Sequence, residues 1–146
     1  MRHCVLMLAA VHVACIAYAE ADAPDCGFSK LHPRHITHFV ERAALTRPGP
    51  DYPQDARDAG IGGKVTIRIL VDQGGAVTAT CPQFDAGKPR PLVSLVLAAE
   101  AAARRWVFAK NFGFDQNAHV QFDYIEGVLT FRFVPRPRPT VQSEGK

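Results

Sequence analysis

The sequence predicts an α+β fold, a two-layer sandwich in which an antiparallel three-stranded sheet packs against helices. Three observations carry this expectation. "KVTIRILV" at 64–71 alternates, with Val65, Ile67, Ile69 and Val71 on one face and Thr66, Arg68 and Leu70 on the other. That period of two belongs to a half-buried strand. From Pro91 the period changes to 3.6, and Leu92, Leu95, Val96, Ala99, Ala103 and Trp106 form one apolar stripe. "AHVQFDYIEGVLTFRFV" at 118–134 then returns to alternation.

The elements follow in chain order. Residues 20–29 lack any regular pattern. "SKLHPRHITHFVERAAL" has helical spacing, with Ile36, Phe39, Val40 and Ala43 on one face, although Pro33 disfavours helix before it. "TRPGPDYP" is a linker broken by Pro48, Pro50 and Pro53. Pro53 suits the first turn of a short helix, "PQDARDAG", that Gly60 closes. After the 64–71 strand, "DQGG" at 72–75 is a hairpin turn, because tight turns need the positive φ that glycine accepts. In the return strand "AVTATCPQF", Val77, Ala79 and Cys81 share a face, which directs Cys81 toward the core.

The long helix follows, with Pro91 in its first turn. Arg104 and Arg105 lie in its last turn, where the helix dipole favours cations. Trp106 and Phe108 lock its end to the sheet as large apolar groups. In the last strand Leu129, Phe131 and Phe133 face one way and Val128, Thr130, Arg132 and Val134 the other, with Gly127 expected as a bulge or kink. "PRPRPT" ends the sheet, since alternate prolines cannot pair and favour polyproline II. The expected organisation is a leader over 1–19, an extension with a short helix over 20–47, one domain over 48–135 and a proline-rich disordered tail over 136–146.

The N-terminus reads as an export signal. Arg2 and His3 form a short basic region, and Cys4 to Ile16 is apolar except for His12. Ala17-Tyr18-Ala19 is an A-x-A cleavage site. The apolar run is shorter than the roughly 17–25 residues of a membrane span, so cleavage after Ala19 is expected. The alternative is an uncleaved inner-membrane anchor. Cleavage removes Cys4 and Cys15 and leaves Cys26 and Cys81 in an oxidising compartment, where a pair of cysteines suggests a disulfide. Two free thiols are the alternative.

The net charge of +3 comes from scattered residues. Nucleic-acid recognition calls for a clustered basic stripe, so no nucleic-acid partner is expected. Catalysis calls for a nucleophile, an acid–base pair or a metal set. The chain has no G-x-S-x-G, no CxxC and no paired-carboxylate motif. His32, His35 and His38 recur at three-residue spacing, but Pro33 and the lack of a carboxylate or cysteine ligand favour a solvated histidine face over a metal site. The chain reads as a non-enzyme, with no metal, cofactor or small-molecule substrate.

Five short motifs stand in order: P-x-Y-P at 50–53, A-R-x-x-G-x-x-G-x-V at 56–65, V-x-x-x-G-x-V at 71–77, R-R-W-V-F at 104–108 and G-V-L-T-F-R-F at 127–133. Together they resemble the C-terminal domain of TonB, the periplasmic energy transducer, over about 85 of the 146 residues. Three features of the domain depart from the family. Lys110 stands where it usually has proline, "NFGFDQNAHVQFDY" is longer than usual, and Cys81 is atypical. The anchored transducers carry an S-x-x-x-H motif in the membrane segment; here Leu8 takes the place of the serine before His12. Residues 20–50 reach at most about 100 Å when fully extended, short for a periplasm-crossing spacer.

The resemblance implies that the last strand recognises an extended segment of an outer-membrane transporter by strand addition. In this sequence that strand is Gly127, Val128, Leu129, Thr130, Phe131, Arg132, Phe133 and Val134. Tyr52, Pro53, Trp106 and Phe108 take structural roles. One side of the last strand is expected to be unpaired, because the strand comes last in the sheet. Two alternatives stay open: Arg132 and "PRPRP" protecting an edge that binds nothing, and an envelope module that binds another protein or the cell wall without energy transduction. A homodimer is also open.

Overall fold

The computed structural model describes residues 26–36, 40–114 and 122–135. The expected leader, His38, Phe39 and the tail from 136 lie outside the described residues. In chain order the elements are a 3-10 turn at Phe28–Leu31, strand β1 at Arg34–His35, the one-turn helix α1 at Val40–Ala43 and β2 at Ala44–Thr46. Helix α2 spans Gln54–Ala59, β3 Gly63–Asp72, β4 Val77–Gln83, α3 Val93–Arg104, β5 Val107–Phe108 and β6 Tyr124–Phe133.

The α+β expectation holds, with one correction. The main sheet has four strands, in the order β1-β6-β3-β4, rather than three. The added strand comes from the extension, and β1 pairs in parallel with the start of β6. A separate two-stranded sheet joins β2 to β5. Arg34 and His35 are extended where helical spacing had suggested a helix beginning near Pro33. The expected helix shrinks to α1.

The centre of the sheet is the long antiparallel pair β3–β6, in unbroken register from Gly63↔Phe133 to Asp72↔Tyr124. Gly127 is therefore neither a bulge nor a kink. Its role is close approach: a Cβ there would lie 2.8 and 2.9 Å from the two methyls of Val40, so only glycine lets α1 settle on β6. Asp72 shapes the β3–β4 turn by accepting the Ala76 N–H on Oδ1 at 2.9 Å, and Gly75 adopts φ 87°. Its missing side chain admits the Phe108 carbonyl against its backbone, while the Phe108 N–H donates to the Gly75 carbonyl at 2.8 Å.

The main core lies between the sheet and α3. Val65, Ile67, Ile69 and Val71 meet Leu129, Phe131 and Phe133 beneath Leu95, Val96, Ala99 and Ala103. The apolar stripe read from the sequence is the buried face of α3. The helix ends at Arg104, before Trp106 and Phe108. Trp106 caps the core from the bend that follows, and Phe108 lies in β5.

Cys81 is fully buried but points away from this core. The register of β4 shifts between the pairs Leu70↔Ala79 and Val71↔Val77, which places one extra residue, Thr78, in β4. Val77 faces the main core, whereas Ala79 and Cys81 turn to the opposite face. There Cys81 and Leu70 pack with Phe28 from the 3-10 turn.

Candidate partner-binding edge

The site is built on the outer side of β6. In a strand, the N–H and C=O of one residue point to the same side and those of the next to the other. The Glu126 carbonyl accepts the Ile36 N–H at 2.9 Å, so even-numbered residues of β6 turn their backbone groups away from β3. Val128, Thr130 and Arg132 are therefore the positions whose N–H and C=O face outward. Beyond Glu126 no strand among the described residues pairs with them. The unpaired side expected from the sequence is thus only part of the strand: β1 occupies it at Ile125 and Glu126.

The extension reaches this edge by crossing the sheet. Cys26 and Cys81 form a disulfide with a Cα–Cα distance of 5.9 Å. It clips the extension to β4, on the far side of the sheet. The Phe28 ring then lies beneath the Arg68 guanidinium, 5.2 Å from its centroid. Arg68 Nε donates to Glu126 Oε1 at 2.6 Å, and His35 Nδ1 stands 3.0 Å from Glu126 Oε2. The Glu126 side chain is only 7% exposed, so its charge needs these two partners. Oε2 is satisfied when His35 Nδ1 carries a proton to donate. Arg34 Nη1 donates to the Gly113 carbonyl at 2.7 Å and fixes β1 from its other side. Past α1, Glu41 Oε1 accepts the outward N–H of Thr130 at 3.3 Å.

The residues expected to be structural support the domain around this edge. Tyr52 donates its hydroxyl to the Ile61 carbonyl at 2.8 Å and packs on Phe133, ring centroids 5.9 Å apart. Pro53 is the N-terminal cap residue of α2. Trp106 Nε1 donates to the Pro48 carbonyl at 3.1 Å, and its ring meets Phe131 edge-on at 6.1 Å. Phe108 stacks on Phe112 at 5.6 Å. Of the three histidines, His35 sits on Glu126 and His32 ends the 3-10 turn with φ 43°. Among the described residues no three His, Cys, Asp or Glu side chains converge as a metal site would require. No helix among the described residues is long and apolar enough to cross a membrane.

Glu41, Arg68 and Glu126 belong to none of the five sequence motifs. Arg68 and Glu126 did leave a signal: opposite charges on the same face of the two strands that alternate most regularly. Glu41 left none, because its role depends on where α1 lands.

Residues 48–135 match the family described as Gram-negative bacterial TonB protein C-terminal. The chain belongs to this family. Its members are non-enzymatic domains that interact with other proteins of envelope transport, in a periplasmic context. The chain is also similar to the solution NMR structure of the Pseudomonas aeruginosa TonB CTD. The two share 18% identity and a TM-score of 0.45, over 65% of this chain and 87% of that one. No match is found among curated proteins. The family match ends at Pro135 and begins at Pro48, so the disulfide-clipped extension that supplies β1, α1 and Glu41 lies outside it.

Proposed function

We propose that this chain is an exported periplasmic protein-binding module that takes up an extended segment of an outer-membrane transporter as an added strand on β6. One observation carries the reading: the outward backbone groups of Val128, Thr130 and Arg132 lack a strand partner among the described residues, on the longest strand pair of the fold. The fixed β3–β6 register presents these groups on a rigid frame. The disulfide supports an oxidising compartment and hence export.

A second reading, an envelope module without energy transduction, has its own support. Residues 26–36 and 40–46 precede the family domain, as a spacer would in an anchored transducer. Here they are folded against the domain, Arg34 and His35 on the main sheet and Ala44–Thr46 paired with β5. A segment spent in this way adds little reach across a periplasm.

The test is a titration of the wild type and Thr130→Pro with peptides from the periplasmic N-termini of outer-membrane transporters, with circular dichroism as the folding control. The Thr130 N–H points away from β3, so proline removes an outward donor without breaking the central ladder. The expected result is a folded variant that has lost binding. Equal affinity for a folded variant moves the site off this edge. If the wild type binds no such peptide, the second reading takes its place.

A further inference from the structure

Beside the end of β6 lies a cleft of about 360 Å³, lined by Pro50, Tyr52, Arg57, Arg132, Phe133 and Val134. Arg132 and Phe133 close the strand whose outward edge is open and Val134 follows it, so a segment laid along Val128–Val134 passes this cleft. Its chemistry is one-sided: two guanidinium groups line it and no carboxylate does. Arg132 makes no ion pair among the described residues. Arg57 donates through Nη2 to the Tyr52 carbonyl at 3.0 Å and lies over the Tyr52 ring, 5.9 Å from its centroid, which orients it without neutralising it. Of the neighbouring acids, Asp58 accepts from Gln54 at 2.7 Å and Asp51 stands 3.9 Å from Arg105.

Two uncompensated arginines around an aromatic wall form an acceptor for a carboxylate, which planar guanidinium groups bind through paired N–H donors. We propose that the segment added along Val128–Val134 carries an acidic side chain that docks between Arg57 and Arg132. This rests on the strand-addition reading and adds what that reading lacks, the chemistry that selects one extended segment over another. Backbone pairing is blind to side chains; the cleft is the part of the surface that reads one. Upstream of Arg132 on the same face of β6, Thr130 and Val128 are exposed and carry no charge, so along this stretch of the strand the charge lies at the cleft.

The experiment uses the disulfide-bonded, exported protein and peptides of alternating valine and threonine, in which one glutamate is moved position by position. The same series is made with glutamine. Expected is one position at which glutamate binds about tenfold tighter than glutamine, the range of a single charge-assisted contact. That ratio shrinks toward one at high salt. In the double variant Arg57→Gln, Arg132→Gln it collapses, while Lys110→Gln, an exposed cation by the β3–β4 turn at the other end of the sheet, keeps it. If both series bind equally at every position, the cleft proposal fails and the strand-addition reading stands. If the wild type binds neither series, both fail together.

Discussion

The Glu41 carboxylate accepts a hydrogen bond from the backbone N–H of Thr130 at 3.3 Å. The central outward donor of the candidate edge is thus covered by a side chain of the same chain. An incoming strand that uses this N–H has to displace Glu41. Removing the carboxylate with Glu41→Ala is expected to raise peptide affinity about three- to tenfold, the net worth of one such bond. Thr130 amide exchange in the free protein should rise with it. Unchanged affinity together with faster exchange would show that Glu41 guards the edge against solvent but does not compete with a partner.

The disulfide closes a separation of 55 residues between Cys26 and Cys81. Cys26→Ser is expected to lower stability by about 2–4 kcal/mol, read from the shift in denaturant midpoint. The substitution spares the buried Cys81 position, so it tests the crosslink rather than packing. Because the bridge holds the start of the extension, the Ile36 amide, bonded to the Glu126 carbonyl at 2.9 Å, should exchange faster in the variant. A stable variant with a protected Ile36 would mean that Phe28 packing and the Arg68–Glu126–His35 contacts hold the extension by themselves.

Trp106 is 8% exposed, and its ring fills the space between Phe108 and Phe131. Trp106→Ala is expected to cost about 3–5 kcal/mol in chemical denaturation. Trp106→Phe keeps most of the packing but leaves the Pro48 carbonyl without its donor, so a smaller loss is expected. A full-size loss in the phenylalanine variant would shift the weight from packing to that hydrogen bond.

Gly127 and Val40 form a size-complementary pair across β6 and α1. Gly127→Ala is expected to destabilise by about 1–3 kcal/mol through overpacking. Val40→Ala in the same chain should recover part of the loss, a positive coupling in a double-mutant cycle. Additive losses would mean that α1 moves aside freely and that its place on the edge is loosely held.

The legibility of each element follows from the range of the interactions that form it. Strand β3, the 72–75 turn, helix α2 and the stripe of α3 were legible because each depends on local periodicity or on a single backbone requirement, such as the positive φ of Gly75. The Cys26–Cys81 pairing was legible from cysteine count and expected compartment, and the family from five motifs in order. What was not legible came from contacts distant in sequence. Thr78 enters β4 as an extra residue only because of its pairing with β3, and that shift turns Cys81 away from the face its parity suggested. Arg34 and His35 have no strand pattern of their own and become extended because β6 offers them partners.

The sequence by itself determined the α+β class, the family domain over 48–135, the buried faces of β3, α3 and β6 and the placing of Val128, Thr130 and Arg132 on the face opposite Leu129, Phe131 and Phe133. These depend on side-chain order along one segment, which packing then reads without altering it. Only the tertiary structure decided how much of the edge is open. That depends on where a disulfide-clipped extension lands: β1 on Ile125 and Glu126, Val40 on the bare backbone of Gly127, and Glu41 on the N–H of Thr130. Backbone hydrogen bonding and close approach between segments some 90 residues apart leave almost no trace in local composition, because any extended residue can pair and any glycine can be approached.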